Sequence, residues 1–352
     1  MMDTHSSVPS PMMTSTTVAA SGTIAPEQAL PTDSEEDARM EPTQQVDPPP
    51  ESWRVVVFTV IPGGAVYRLA DHVLSAMGHQ LVGVVTTPGP KRRRSTTYLE
   101  VVAAVRPGVD VLVSNHPARW AAMLAPLQPD LIICGGFPWR IPPAVLALPR
   151  LGAVNLHDAL LPRGRGPNAT GWALRNDESE TGFTIHRLTP EFDTGPILAQ
   201  ARVPLTDEDD ADTIFPRIEA VIPELLRTAL ERMARGEVGE PQDEAAATEA
   251  GLFEDAWRTI DWGRPARTIH NQVRSWIGFR DIPRGAVGVV DGTTLQIVKT
   301  RLLPRPDAAE PVPVPGTVLE QSPKLIVVQC GEGPLAIVAW HTLTIPASRV
   351  DS

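Results

Sequence analysis

Little in this 352-residue chain supports a covalently stapled or metal-held scaffold. It has two cysteines, Cys134 and Cys330, far apart. That excludes a disulfide framework and a cysteine-rich metal site, and it fits a reducing compartment, the cytoplasm. Neither cysteine has a signature around it, and both read as small buried hydrophobes. Long apolar runs are also missing. The stretch 55–66 is interrupted by Thr59, Pro62, Gly63 and Gly64 and is too short to cross a bilayer. The N-terminal residues lack the basic-then-apolar order of a signal peptide, so none is expected. Several catalytic motifs are absent as well. Pro62-Gly63-Gly64 follows the first strand-like run but lacks G-x-G-x-x-G spacing, and no Walker A, H-E-x-x-H or G-x-S-x-G occurs. A dinucleotide dehydrogenase, a P-loop ATPase, a zincin and an α/β-hydrolase all lose support. There is no internal repeat.

What is present begins with an uneven charge. The net charge is −11, but residues 1–52 hold nine acids and one base, leaving −3 on the other 300 residues. That tail is rich in Ser, Thr, Pro and Glu, without helical or strand period. It cannot bury enough apolar area to offset its ordering entropy, so disorder is expected there.

From Arg54 onward the texture is that of a folded α/β domain. Apolar strand-like runs at 55–60, 81–85, 109–113, 131–134 and 152–155 alternate with helix-spaced runs at 65–77, 99–105, 118–127 and 142–148. Strands this apolar predict a mainly parallel, Rossmann-like sheet with helices on both faces. Further runs predict a helix at 168–174, strands at 182–188 and 197–203, and a long amphipathic helix over 213–234 stopped by Gly236. Residues 236–250 are acidic and Ala-rich and read as a linker. Beyond them, one helical segment (265–276) precedes several short strands separated by Gly, Pro and Asp turns. That spacing predicts a smaller barrel-like, OB-like β domain over 251–347. The catalytic unit is then 53–235.

The chemistry-bearing stretch is 152–195. An apolar strand runs into Asn155 and His157. A Leu160-Leu161-Pro162 turn follows, with Arg163 and Arg165 among glycines. A second β run leads to Asp193 before Thr194-Gly195. Asn155 and His157 are two apart, so on a strand they share a side. An Asn amide can donate to a developing oxyanion. A His can move a proton at neutral pH, and a carboxylate can orient its ring. With no Ser or Cys nucleophile beside them, direct transfer between bound substrates is favoured over an enzyme-linked intermediate. On types and spacing alone, a structural His and an ordinary Asp-Thr-Gly turn remain the competing reading. Arg163 and Arg165 fit either an anion site or solvated loop charges. His186, within an alternating strand, reads as structural.

These residues carry a resemblance. Asn155-Leu156-His157, Leu160-Leu161-Pro162, Arg165-Gly166, Glu180-Thr181-Gly182 and Phe192-Asp193-Thr194-Gly195-Pro196-Ile197-Leu198 together resemble the signature of the folate-dependent formyltransferases. Ile260-Asp261-Trp262, residues 269–276 and Pro315-Gly316-Thr317-Val318 are similar to the second domain of the methionyl-tRNA formyltransferase type. The resemblance implies 10-formyltetrahydrofolate as formyl donor, an amine acceptor and no metal. It implies Asn155, His157 and Asp193 as the catalytic set, acting on a tetrahedral intermediate. It seats the folate between the 134–140 loop, with Phe137 and Arg140, and Leu160, Leu161 and Pro162.

The acceptor is less directly written. Asp158 adds a carboxylate next to His157, fit to bind a cationic amine or to face solvent. The basic run Lys91 to Arg94, with Arg92, fits phosphates or a solvated charge run. Residues 251–352 carry eleven bases and ten acids, a weak field for a tRNA channel. A small-molecule acceptor is therefore expected, either an amino-sugar nucleotide or an amino-acid-derived precursor of a secondary metabolite or siderophore. Methionyl-tRNA is the alternative, and a catalytically silent folate-binding protein the second. No DNA or membrane partner is expected, and the oligomeric state is left open.

Overall fold

A computed structural model describes residues 52–90, 96–278, 283–304 and 312–343. The tail up to Glu51, and the basic run with Arg92, lie outside the described residues.

The first folded unit is a seven-stranded sheet. Its strands are β1 (Arg54–Thr59), β2 (Gln80–Thr86), β3 (Asp110–Val113), β4 (Leu131–Gly135), β5 (Ala153–His157), β6 (Glu180–Arg187) and β7 (Ile197–Pro204). They lie in the order β3-β2-β1-β4-β5-β6-β7. The first five are parallel; β6 runs antiparallel to β5, and β7 runs antiparallel to β6, in the direction of the first five. The expectation of a mainly parallel sheet holds. Helices α1 (Ala65–Ala76), α2 (Thr97–Ala104), α3 (Pro117–Leu124) and α4 (Pro143–Leu146) connect the parallel strands. The chain winds outward to β3 and then returns to lay β4 on the other side of β1. The carboxyl ends of β1 and β4 therefore flank a topological switch point, where open α/β sheets hold ligands.

Both faces of this sheet are covered, which explains its continuous apolar strands. Val55, Val57, Ile133, Val154 and Leu156 face one core, packed with α1 and with α6 (Ala211–Ala234). Val56, Phe58, Ile132, Cys134 and Ala153 face the other, with Trp120 of α3. Along α6 the residues Ile214, Ile218, Ile222, Leu226 and Met233 are buried at helical spacing, each stabilising the fold by roughly 1.5–3 kcal/mol. The helix starts at a capping box, with the Asp210 side chain taking the Asp212 and Thr213 amides.

The second unit is a five-stranded antiparallel sheet. Its strands are β8 (Ala286–Val290), β9 (Thr293–Leu302), β10 (Val318–Ser322), β11 (Leu325–Gln329) and β12 (Pro334–Thr342), in the order β10-β11-β12-β9-β8. Helix α7 (Ala266–Ser275) packs on it and also on α5 (Ala169–Arg175) of the first unit. Ion pairs add to that contact: Arg267 with Asp177 and Asp207, Arg274 with Asp177, Arg284 with Asp212, and Lys299 with Asp210. No helix among the described residues is long and apolar enough to cross a membrane.

Candidate active site

Strand β5 supplies the first two residues. Val154 and Leu156 belong to one core and Ala153 to the other. Period-two alternation therefore puts Asn155 and His157 on the face of Ala153. In the antiparallel pairing with β6, His186 lies directly opposite Asn155, and Thr184 opposite His157. Cross-strand partners share a face, so four polar residues gather at the end of β5. Cys134 on β4 is also paired with Asn155. Burial first, and the charge of Asp193 second, push its thiol up to about 12. Cys134 is thus no thiolate nucleophile.

Asp193 reaches this group from the turn after β6. Its backbone is left-handed, with φ 57°, a conformation that Asp tolerates better than most residues. The residue is only 7% exposed. One oxygen, Oδ1, accepts from Asn155 Nδ2 at 3.1 Å and faces His186 Nε2 at 3.6 Å and His157 Nδ1 at 3.9 Å. The other accepts from the Gly166 amide at 2.9 Å. Gly166 has φ 117°, and a Cβ there would stand 2.9 Å from the Ala250 carbonyl oxygen. Only glycine gives this close amide contact. Burial by itself would raise the Asp193 carboxyl. Facing His157 and His186 and accepting from the Gly166 amide outweigh burial and hold the carboxyl at about 2.

The hydrogen-bond network assigns the ring protons. His157 Nε2 is 2.8 Å from the Gly164 carbonyl, which can only accept, so Nε2 carries a hydrogen. The other ring nitrogen, Nδ1, lies on the side of Asp193. His186 Nδ1 is 2.9 Å from the Arg187 carbonyl, leaving its Nε2 to accept from Asn155 Nδ2 at 3.2 Å. Both hydrogens of the Asn155 amide are engaged, one by Asp193 and one by His186. The arrangement sets an imidazole beside a buried carboxylate that also holds the Asn155 amide.

A linked-titration test follows. Asp193 ionises at a lower pH in the folded chain than the 3.8 usual for the group. It therefore contributes stability above the unfolded value, and that contribution disappears as pH falls through about 2. In denaturant titrations between pH 5 and pH 2, the stability gap between the wild type and Asp193→Asn is expected to narrow toward acid. A gap that stays constant contradicts the assignment.

The Leu160-Leu161-Pro162 turn is pinned from β6 and β7. Thr184 Oγ1 donates to the Ala159 carbonyl at 2.6 Å and accepts from the Leu161 amide at 3.3 Å. Gln200 donates to the Leu161 carbonyl at 2.9 Å. Gly182 makes room: a Cβ there would meet the Ala201 carbonyl oxygen at 2.2 Å and Leu160 Cδ2 at 2.4 Å. The Leu161–Pro162 bond is cis, and Leu161 is buried. Across from the turn, the Phe137 ring packs edge-on to Phe58 and Trp120. Arg140 lies 5.1 Å over the ring of Phe192. Among the described residues no hydrogen bond joins the backbone of Gly136, Trp139 or Arg140 to the rest of the protein. Those peptide groups remain available to a polar heterocycle at the switch point.

Other residues singled out from the sequence have different partners. Asp158 accepts from Thr170 Oγ1 at 3.0 Å and so ties β5 to the start of α5. Arg163 pairs with Glu178. Arg165 is buried, bidentate with Glu244 at 2.7 and 2.9 Å, and bonded to Gln242. The two arginines read as an anion site thus have acidic partners within the chain, and Arg165 serves the contact with residues 242–244. His186, read from the sequence as structural, sits in the centre of the site. Its signal was the cross-strand register, which strand alternation alone does not give.

Comparison with known proteins follows the same two units. The Formyl transferase family model matches residues 60–230, and the Formyl transferase C-terminal domain model matches 254–343. The methionyl-tRNA formyltransferase of Pelobacter propionicus is 34% identical over 292 residues, covering 81% of this chain and 88% of the relative. That of Sorangium cellulosum is 33% identical over 264 residues, covering 73% and 83%. Among solved structures, HypX from Aquifex aeolicus in complex with tetrahydrofolic acid superposes with TM-score 0.58 at 21% identity, over 85% of this chain and 47% of HypX. The N-formyltransferase from Helicobacter canadensis, in complex with folinic acid and dTDP-3-aminofucose, gives TM-score 0.58 at 15% identity, over 83% of this chain and all of that one. The chain belongs to the folate-dependent formyl transferase family and carries both its catalytic and its C-terminal domain.

Proposed function

We propose that this chain moves a formyl group from 10-formyltetrahydrofolate to the primary amine of a small molecule, with Asn155, His157 and Asp193 as the catalytic set. The observation that carries this reading is the buried Asp193 carboxylate. It touches Asn155 and faces the free nitrogen of His157 at the end of β5. The bound folate supplies an activated formyl carbon. Phe137 and Arg140 with their loop, and Leu160, Leu161 and Pro162, would form its seat. His157 Nδ1, beside Asp193, would take the proton that the attacking amine gives up, and the N–H so formed would stabilise the charge gathered on the formyl oxygen. That proton would pass to the folate nitrogen as the bond from that nitrogen to the formyl carbon breaks, so that tetrahydrofolate leaves and the amine keeps the formyl group. With Cys134 held neutral, nothing here favours an enzyme-linked formyl group. We place the catalytic unit at 53–235, the connection at 236–250 and the second domain at 251–347.

The small-molecule acceptor is supported by how the second domain uses its cations. Of its eight described bases, Arg267, Arg274, Arg284 and Lys299 pair with acids of the catalytic unit. Arg258 and Arg264 lie over Trp276 and Trp257. Little basic field remains to follow a phosphate backbone. A nucleotide-linked amino sugar is the class we favour, and an amino-acid-derived amine is the next. Initiator methionyl-tRNA is the second reading, favoured by the names of the relatives at 33–34% identity. A panel of nucleotide-linked amino sugars, amino-acid-derived amines and charged initiator tRNA, each mixed with 10-formyltetrahydrofolate, separates them. Tetrahydrofolate release with a small amine and none with tRNA is expected. Turnover with tRNA alone overturns the choice of acceptor.

A further inference from the structure

The segment that joins the two units does more than span them. Residues 240–250 run back along the site and bond to both of its loops. On the first loop, the Arg165 amide donates to the Thr248 carbonyl at 2.9 Å, and the Ala250 amide donates to the Arg165 carbonyl at 2.6 Å. Thr248 Oγ1 also accepts from the Gly164 amide at 2.9 Å. On the second, Ile197 and Glu240 exchange backbone hydrogen bonds at 2.7 and 2.9 Å.

One side chain bridges both loops. Gln242 Nε2 donates to the carbonyls of Asp193 and of Gly195, each at 2.8 Å. Its Oε1 accepts from Arg165 Nε at 3.2 Å and Nη2 at 2.9 Å. The whole hydrogen-bonding capacity of the amide is used. One of its two acceptors is the carbonyl of Asp193 itself, whose left-handed backbone persists only where the surroundings fix it; the other is that of Gly195, two residues on. Its donor, Arg165, adjoins Gly166, whose amide holds the other end of the same carboxylate. Gln242 therefore ties the Asp193 backbone to the loop that grips the Asp193 side chain. It lies outside both matched family segments, 60–230 and 254–343.

We infer that Gln242 is a positioning residue for formyl transfer, fixing Asp193 against His157 from the connecting segment. This rests on the reading of Asp193 as catalytic. An amide at this position satisfies two carbonyls and a guanidinium at once. A carboxylate does not: Gln242→Glu keeps the acceptor for Arg165 but sets negative oxygens against two carbonyls. Ala removes both ends of the bridge. A misplacement of about 1 Å at a reacting group costs about 100-fold in rate.

The test uses the full chain, as wild type, Gln242→Ala, Gln242→Glu, Asp193→Asn and the Gln242→Ala/Asp193→Asn double variant. Exposed Ala246→Ser serves as control. Turnover is read with the amine that the acceptor panel selects. Gln242→Ala and Gln242→Glu are expected to lose about 10- to 100-fold in kcat with both KM values within about threefold. The double variant should be no slower than Asp193→Asn alone, since both changes act through one carboxylate. Independently of any acceptor, the 15N imidazole resonances of His157 and His186 should shift in both Gln242 variants and stay put in Ala246→Ser. Unmoved resonances, wild-type kcat in Gln242→Glu, or additive losses in the double variant overturn the inference. Wild-type turnover in Asp193→Asn with moved resonances overturns the catalytic reading and leaves the positioning intact.

Discussion

Asp193→Asn is expected to lower kcat/KM by about 10³-fold, between the cost of one oxyanion-hole donor and that of a triad Asp→Asn change. The side chain keeps its size but loses its charge and half its acceptors. Oδ1 takes the Asn155 amide, and Oδ2 takes the Gly166 amide. Whichever way the new amide turns, its NH2 group meets an N–H. The negative charge beside His157 and His186 also disappears, so the protonated imidazole loses its counter-charge. The loss should fall on kcat more than on either KM, because the carboxylate is buried behind the residues that would meet substrate. Steady-state kinetics with circular dichroism on the same samples checks it. A variant that folds and keeps its rate would show Asp193 to be a turn residue only.

His157→Ala is expected to cost about 10²–10³-fold in kcat, the range for removing a preorganised donor. The ring is bonded to the Gly164 carbonyl at Nε2, and its Nδ1 faces Asp193 at 3.9 Å. Removing it leaves Asp193 with Asn155, His186 and Gly166, so the fold around the carboxylate should persist. Far smaller losses in His157→Ala than in Asp193→Asn would mean that the carboxylate acts through His186, its nearer imidazole at 3.6 Å. The comparison of the two variants thus assigns the working histidine.

The parallel sheet was legible because its strands are apolar on both faces and alternate with helix-spaced runs. The common side of Asn155 and His157 followed from period two alone. Asp193 stands 36 residues beyond His157; its place before a Gly turn makes it a candidate, but type and spacing alone leave an ordinary Asp-Thr-Gly turn as the competing reading. His186 was discounted because a strand's own alternation does not reveal which residue lies across from it; the β5–β6 register does. For Arg165 the sequence leaves an anion site and a solvated loop charge both open, because its partners, Gln242 and Glu244, are 77 and 79 residues away. The same distance hid the bonding of the connecting segment, whose acidic, Ala-rich composition reads as a tether. Asp158 looked like a second acid at the centre, yet its bond to Thr170, twelve residues on, serves the start of α5.

Direct transfer by these residues is tested by following the formyl group itself. Enzyme, formyl-labelled 10-formyltetrahydrofolate and the acceptor panel are mixed and quenched within one turnover, and label is counted on amine and on protein. Label is predicted on one small amine, matched one-for-one by tetrahydrofolate, with none on the protein and loss of transfer in His157→Ala and Asp193→Asn. Label on the protein before the amine, or transfer undiminished in those variants, would contradict the account.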